Sequence, residues 1–227
     1  NVNLKILLFN NRIYGLTKGQ YSPTSPLGKI TKSSPYGSLD APFNPVSLAI
    51  GAEASFVART LDSDRKHLQS VLRAAADHEG SALVEIYQNC NIFNDGAFDV
   101  LKDADTRDDW TIPLVHGEPL RFGSLGSKAV VRDPGTGSLT IEDGVGADDP
   151  RVVVHDAHNP DPTYAFALSR LSSPDVGYAP MGVFRSVERP SYDALMSAQL
   201  EHAAENNAHD DGALTQLLLG KDTWTIA

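Results

Sequence analysis

A doubly wound α/β layer on a parallel sheet, followed by a smaller β-rich and helical C-terminal region, is the fold class that the sequence predicts. Three observations lead there. Residues 4–9 (Leu-Lys-Ile-Leu-Leu-Phe) are almost wholly apolar and stop abruptly at Asn10-Asn11, the pattern of a parallel strand covered on both faces. Two further β-type runs occupy residues 55–60 and 82–87. Between them Leu68, Val71, Leu72 and Ala75 fall at i, i+3, i+4 and i+7, the stripe of an amphipathic helix.

Taken in order, the first run reads as a central strand with a polar carboxyl end. Residues 15–43 are crowded with Gly, Pro, Ser and Thr without sustained period, which predicts a connection far longer than usual, functional or disordered. Asn44-Pro45 starts a helix to about Glu53, because the Asn oxygen can accept an orphan amide hydrogen and proline tolerates the first helical position. Asp62-Ser63 is expected to cap the amphipathic helix, which ends near Gly80. Strand, helix, strand, helix, strand calls for parallel pairing with right-handed crossovers.

Beyond Cys90 the composition shifts to short β-like pieces. Residues 128–131 and 138–141 flank Asp133-Pro134-Gly135-Thr136-Gly137 as a hairpin, and residues 152–154 are expected to add a strand. Residues 163–171, 191–204 and 212–219 read as helices on a tail that wraps the core or a partner subunit. The expected division is an α/β domain at 1–89 and a C-terminal region at 90–227. The chain opens on Asn1 within three residues of a buried-type strand, as expected of an N-terminally truncated piece of a longer protein.

Composition narrows the function. The 227 residues, 41% hydrophobic and 21% charged, suffice for a substantial core. A formal charge of −10, from 29 acidic against 19 basic side chains, repels phosphate backbones and anionic lipid, which argues against nucleic-acid and membrane partners. No apolar run nears the ~20 residues of a bilayer span and no signal-peptide layout is present, so a soluble, cytoplasmic protein is expected. Cys90 is the single cysteine, so a cluster held there takes its other ligands from elsewhere.

In an open parallel sheet, ligands bind outside the carboxyl ends of the strands. Asn10 and Asn11 stand at such an end, before a turn at Tyr14-Gly15. Side-chain amides there suit a hard cation, and the loop's backbone amides suit an anion it carries; magnesium with a diphosphate fits both. On spacing alone the pair is also an ordinary turn. His155 and His158 have an i, i+3 metal spacing, yet they adjoin Asn159-Pro160 and read as a polar turn. The acidic stretches 103–109 and 142–149 read as solvated loops, and the apolar residues of 214–219 as packed rather than membrane-bound.

The string Asn10-Asn11-Arg12-Ile13-Tyr14-Gly15-Leu16-Thr17-Lys18-Gly19-Gln20-Tyr21-Ser22-Pro23-Thr24 resembles the thiamine-diphosphate loop of the β subunits of 2-oxoacid:ferredoxin oxidoreductases, the 2-oxoglutarate branch in particular. Residues 85–103 and the segment Met181 to Asp193 resemble the same subunits. The resemblance implies a thiamine-diphosphate-binding fold and Mg2+ held by the Asn11 side chain and the Ile13 carbonyl, with an upstream Asp as a further ligand. It places Tyr14, Gly15, Leu16 and Thr17 beside the cofactor and the amides of residues 15–19 near the diphosphate. Lys18 stands where pyruvate-using relatives tend to have glycine, and so would pair with the distal carboxylate of 2-oxoglutarate. Cys90 matches the distant fourth ligand of a [4Fe-4S] cluster. The implied reaction converts 2-oxoglutarate (or another 2-oxoacid) and coenzyme A to succinyl-CoA and CO2, with electrons passing to ferredoxin and an α subunit completing the site. The competing readings are a non-oxidative thiamine enzyme and a structural subunit without cofactor.

Overall fold

The computed structural model describes residues 1–172, 177–206, 212–221 and 224, in two compact units, 1–189 and 190–227. The first contains β1 (Lys5–Asn10), α1 (Pro45–Gly51), β2 (Phe56–Leu61), α2 (Arg65–Asp77), β3 (Ala82–Tyr87), α3 (Arg107–Trp110), β4 (Thr111–Leu114), β5 (Arg121–Phe122), β6 (Lys128–Arg132), β7 (Leu139–Asp143), α4 (Pro162–Ser169) and β8 (Ala179–Ser186). The second contains α5 (Tyr192–Asn206) and α6 (Ala213–Leu219), which carry exposed Leu195, Leu200, Leu214, Leu217, Leu218 and Leu219.

The main sheet has the order β1-β3-β2-β8-β4, with β1, β3 and β2 parallel, β8 antiparallel to β2, and β4 parallel to β8. It is the expected α/β layer, dominated by parallel pairing. The alternation of β2 sends Phe56 and Ala58 to one face, against Val71 and Ala75 of α2, and Val57 to the other, with Val46 and Ile50 of α1 and Phe184 of β8. Both faces are thus helix-covered, which is why β2 is buried at all six positions. The change of composition at residue 90 coincides with no break in the sheet, since β4 and β8 come from beyond it. β8 approaches β4 so closely that a Cβ on Gly182 (φ 131°) would meet the Leu114 carbonyl at 2.6 Å. The β5-β6-β7 sheet contains the predicted hairpin, closed by the Asp133 carboxylate accepting from the amides of Gly135 and Thr136.

Three expectations are corrected. β1 is an edge strand rather than a central one: Ile6, Leu7 and Phe9 are 48%, 46% and 57% exposed. Its apolarity on both faces is real, but within these residues β3 inserts between β1 and β2 and nothing covers the outer side. The α2 cap is Asp64, whose carboxylate accepts from the His67 amide (3.1 Å). The Asp62 amide instead extends the sheet by donating to the Tyr87 carbonyl (2.9 Å). Residues 152–154 form only isolated bridges to Val131 and Pro119.

Among the buried charges on the α1 face is Arg59, whose Nε lies 2.7 Å from Glu85 Oε2, both side chains 1% exposed. Removing one partner of such a pair strands a charge in low dielectric, whereas removing both does not. Glu85→Ala is therefore expected to lower unfolding stability by about 3–5 kcal/mol, and an Arg59→Met/Glu85→Leu double variant by less than either single change, measured by urea denaturation of the chain.

Candidate functional site

Three strands end together on the α1 face, and their last polar side chains form one hydrogen-bonded row. Asn10 Nδ2 donates to Glu85 Oε1 (2.7 Å), Arg59 Nε to Glu85 Oε2 (2.7 Å), and Arg59 Nη1 to the Ser172 hydroxyl (2.9 Å). Burial works against the Arg59 charge, but Tyr87 and Glu85 outweigh it and hold its pKa above the ordinary value. The Asn10 side-chain oxygen Oδ1, turned the other way, accepts from the Arg12 amide (3.1 Å) and the Thr24 hydroxyl (2.7 Å). Asn10 is thus consumed by the framework and is no cation ligand; it pins both ends of the loop that follows β1.

That loop is ordered by its own polar groups. Ser25 donates to the Arg12 carbonyl (2.6 Å), and Tyr14 and Gln20 form a bridge that closes the turn carrying residues 15–19. Within the turn the Lys18 amide donates to Gly15 O (3.0 Å) and the Gly19 amide to Tyr14 O (3.1 Å). These two amides are spent within the turn, so the candidates for an anion among 15–19 narrow to the amides of Gly15, Leu16 and Thr17. Tyr14, Leu16, Thr17 and Lys18 lie exposed, Leu16 at 97%.

Asn11 forms an Asx turn in which its Oδ1 accepts from the Ile13 amide at 3.3 Å. This bond is long, and no described residue donates to the Ile13 carbonyl. Two oxygens suited to a hard cation are therefore left largely unclaimed where the strand ends, and they fit Mg2+. No cluster of three or more His, Cys, Asp or Glu among the described residues could hold a metal alone.

The segment after β3 packs onto this loop. Asn94, buried, donates from Nδ2 to the Asn11 carbonyl (2.8 Å) and accepts from Lys29 Nζ (2.5 Å). Phe93 lies against the glycines: a Cβ on Gly19 (φ 97°) would meet its Cδ1 at 3.0 Å. Cys90 opens the same turn, its carbonyl accepting from the Asn94 amide (3.0 Å). The Phe93 amide, helped by those of Ile92 and Asn94, holds the Cys90 thiol below the ordinary value against partial burial and Asp95. A half-buried sulfur beside main-chain N–H groups fits an iron–sulfur ligand.

The structure thus gathers Asn11, Ile13, Tyr14, Gly15, Leu16, Thr17 and Lys18 in one loop and sets the Cys90 turn against it. Sequence reasoning missed Arg59, Glu85, Thr24, Ser25, Phe93 and Asn94. A lone Arg and a lone Glu inside apolar strands were a readable sign of a buried pair; the serines and Asn94 offered no sign without the fold. His155, expected in a polar turn, is instead buried (1% exposed) and hydrogen-bonded within the fold. Nε2 donates to the Val183 carbonyl (2.8 Å), so Nδ1 accepts from the Tyr164 hydroxyl (3.0 Å). Burial lowers the His155 pKa and raises that of Tyr164 to about 12. No described helix is long and apolar enough to cross a membrane.

Comparison with known proteins identifies the chain's relatives. Residues 1–86 match the family model described as thiamine pyrophosphate enzyme, C-terminal TPP binding domain. The 2-oxoglutarate oxidoreductase subunit KorB of Mycobacterium tuberculosis is 54% identical over 226 residues, 100% of this chain and 60% of that one. The 2-oxoacid:ferredoxin oxidoreductase subunit beta of Saccharolobus solfataricus is 44% identical over 95 residues, 42% of this chain and 31% of its own. A solved 2-oxoglutarate:ferredoxin oxidoreductase from Magnetococcus marinus, with 2-oxoglutarate, coenzyme A and succinyl-CoA bound, superposes with TM-score 0.64 at 26% identity, covering 97% of this chain and 59% of that one. The chain therefore spans about three fifths of the relatives it matches end to end. Along its whole length the chain is homologous to the β subunits of the 2-oxoacid:ferredoxin oxidoreductases, and that is the family to which it belongs.

Proposed function

We propose that this chain serves, in the cytoplasm and with an α subunit, in an enzyme that converts 2-oxoglutarate and coenzyme A to succinyl-CoA and CO2 and passes the electrons to ferredoxin. The observation that supports it best is the joining of two loops. The Asn94 amide and the Phe93 ring bind the Cys90 turn directly to the loop holding Asn11 and Ile13. When bound, thiamine diphosphate supplies the nucleophilic carbon that attacks a 2-oxo group, and a [4Fe-4S] cluster supplies the electron acceptor.

In this reading the chain's own residues position and discriminate. Asn11 Oδ1 and the Ile13 carbonyl hold Mg2+ and through it the diphosphate. Tyr14, Gly15, Leu16 and Thr17 pack beside the cofactor, where exposed Leu16 finds its contact and excludes water. Cys90 is the cluster ligand this chain contributes; the other thiolates come from outside these 227 residues, which contain one cysteine. Lys18 is the specificity residue. It is held at φ 66°, and its exposed ammonium makes no ion pair among the described residues. An unpaired cation on a cofactor loop suits the distal carboxylate of a five-carbon dicarboxylic oxoacid.

Dye reduction by the complete enzyme, assayed with 2-oxoglutarate and with pyruvate, tests the whole reading; turnover with neither overturns it. Lys18→Gly is expected to reduce the 2-oxoglutarate to pyruvate ratio of kcat/KM by about 10- to 100-fold, the loss of one charge-assisted pair; an unchanged ratio removes Lys18 from specificity. Asn11→Ala is expected to weaken Mg2+–thiamine diphosphate binding, by titration calorimetry, without unfolding the chain. Iodoacetamide should alkylate Cys90 in the 227-residue chain at a pH below that of an ordinary thiol, because the amide-bonded thiolate persists to lower pH. Cys90→Ser should abolish the cluster absorbance of the complete enzyme, and a cluster retained in that variant would dismiss the ligand role.

A further inference from the structure

The long connection after β1 closes a tight hairpin over residues 26–38 before it reaches α1. The Gly28 amide donates to the Ser38 carbonyl (2.9 Å), the Ser38 amide to the Lys29 carbonyl (3.1 Å), and the Ser38 hydroxyl to the Pro26 carbonyl (2.8 Å). Gly37 (φ 92°) passes so near Gly28 that a Cβ would meet its carbonyl oxygen at 2.8 Å. The main chain of Lys29 is thereby fixed, and its half-buried side chain reaches Asn94, where Nζ donates to Oδ1 at 2.5 Å. An ammonium has only hydrogens to offer, so it must face the oxygen of the amide. Asn94 Nδ2 then faces the Asn11 carbonyl, to which it donates (2.8 Å). With the amide turned over, N–H would meet ammonium and oxygen would meet oxygen, two repulsions in place of two bonds. Asn94 is 6% exposed, so water does not readily replace either partner.

What the Asn94 amide holds is the first of three successive peptide units at the candidate cation site, each tied by a hydrogen bond from or to another segment. Asn94 holds the Asn11 carbonyl, Ser25 the Arg12 carbonyl (2.6 Å), and the Tyr14 amide donates to the Gln20 carbonyl (2.7 Å). In a trans peptide the C=O points opposite to the N–H, so the last of these bonds turns the Ile13 carbonyl away from Gln20. The first sets the plane beside the Asn11 side chain, whose Oδ1 is the other candidate ligand. Two oxygens that must converge on one Mg2+ at about 2.0–2.1 Å leave the peptides between them little freedom to rotate. We propose that Lys29 and Asn94 are positioning residues for this site, Lys29 acting through Asn94 by dictating which way its amide faces, an inference that rests on the reading of Asn11 and Ile13 as Mg2+ ligands. The hairpin thereby acquires a task, which is to hold a donor-only cation against Asn94. A lysine that attracted the diphosphate directly would act whether or not Asn94 were present, and this difference separates the two roles.

The first measurement needs no cofactor. The Asn11 carbonyl shares its peptide with the Arg12 amide, so the Arg12 15N chemical shift of the 227-residue chain reports the bond from Asn94. Lys29→Met is expected to move that signal in the direction in which Asn94→Ala moves it; a signal left in place by Lys29→Met overturns the proposal. The second measurement is the dissociation constant of Mg2+–thiamine diphosphate from the complete apoenzyme, by titration calorimetry. Lys29→Met is expected to raise it about 3- to 10-fold and Asn94→Ala about 10-fold or more, and the double variant no further than Asn94→Ala alone. Additive losses show Lys29 acting on its own, and unchanged affinity in the single variants shows neither residue positioning the site; each overturns the proposal. Asn11→Ala is the control. If it alone weakens binding, only the positioning role falls; if it binds as tightly as the unaltered enzyme, the cation site falls and this proposal with it. Should Asn94→Ala fail to fold by circular dichroism, Asn94→Asp takes its place, keeping an oxygen toward Lys29 while losing the donor toward Asn11.

Discussion

A single buried carboxylate holds the candidate site in place. Glu85 accepts from Arg59 on β2 and from Asn10 on β1, so that three adjacent strands are cross-linked by side chains as well as by their backbones. Arg59 reaches on to Ser172 and, more weakly, to the Pro180 carbonyl of β8 at 3.5 Å. Ionic groups in a dry core compete poorly with apolar packing as a source of stability. Their value lies in direction, since each donor accepts only one arrangement of its neighbours. Here that arrangement turns the second half of the Asn10 amide outward, toward Arg12 and Thr24, and thereby fixes both ends of the loop after β1.

From that anchor the site builds outward in layers of decreasing burial. Ser25 and Asn94 secure the main chain of Arg12 and Asn11, leaving the Asn11 amide oxygen and Ile13 carbonyl available. The Phe93 ring seats the glycines of the tip, and only the tip itself, with Leu16 and Lys18, stands in the open. The Cys90 turn shares these contacts. Any displacement of the loop after β1 is therefore felt at the Cys90 turn.

β1 shows what a local pattern cannot say. Its apolar residues on both faces are what a doubly covered strand requires, and that reading of the chemistry stands. Its position does not: within these residues it lies at the margin of the sheet, with Phe9 more than half exposed. Hydrophobic periodicity reports that a face is to be covered but carries no information about which segment covers it. The α2 cap moved for a related reason. Asp62, Ser63 and Asp64 are all capping residues, and the sheet chose among them by claiming the Asp62 amide for Tyr87.

The sequence by itself determined the parallel core, the long loop after the first strand and, through residues 10–24, the kinship of the chain. These rest on local rules: side-chain period, cap chemistry and a run of residues that a cofactor site demands in one order. Only the tertiary structure decided that the Cys90 turn meets the loop and that Asn10 belongs to the framework while Asn11 does not. Each of these depends on contacts between residues far apart in the chain, such as Asn94 with Asn11 and Glu85 with Asn10. Such contacts are set by how strands are placed side by side, which no single stretch of the chain encodes.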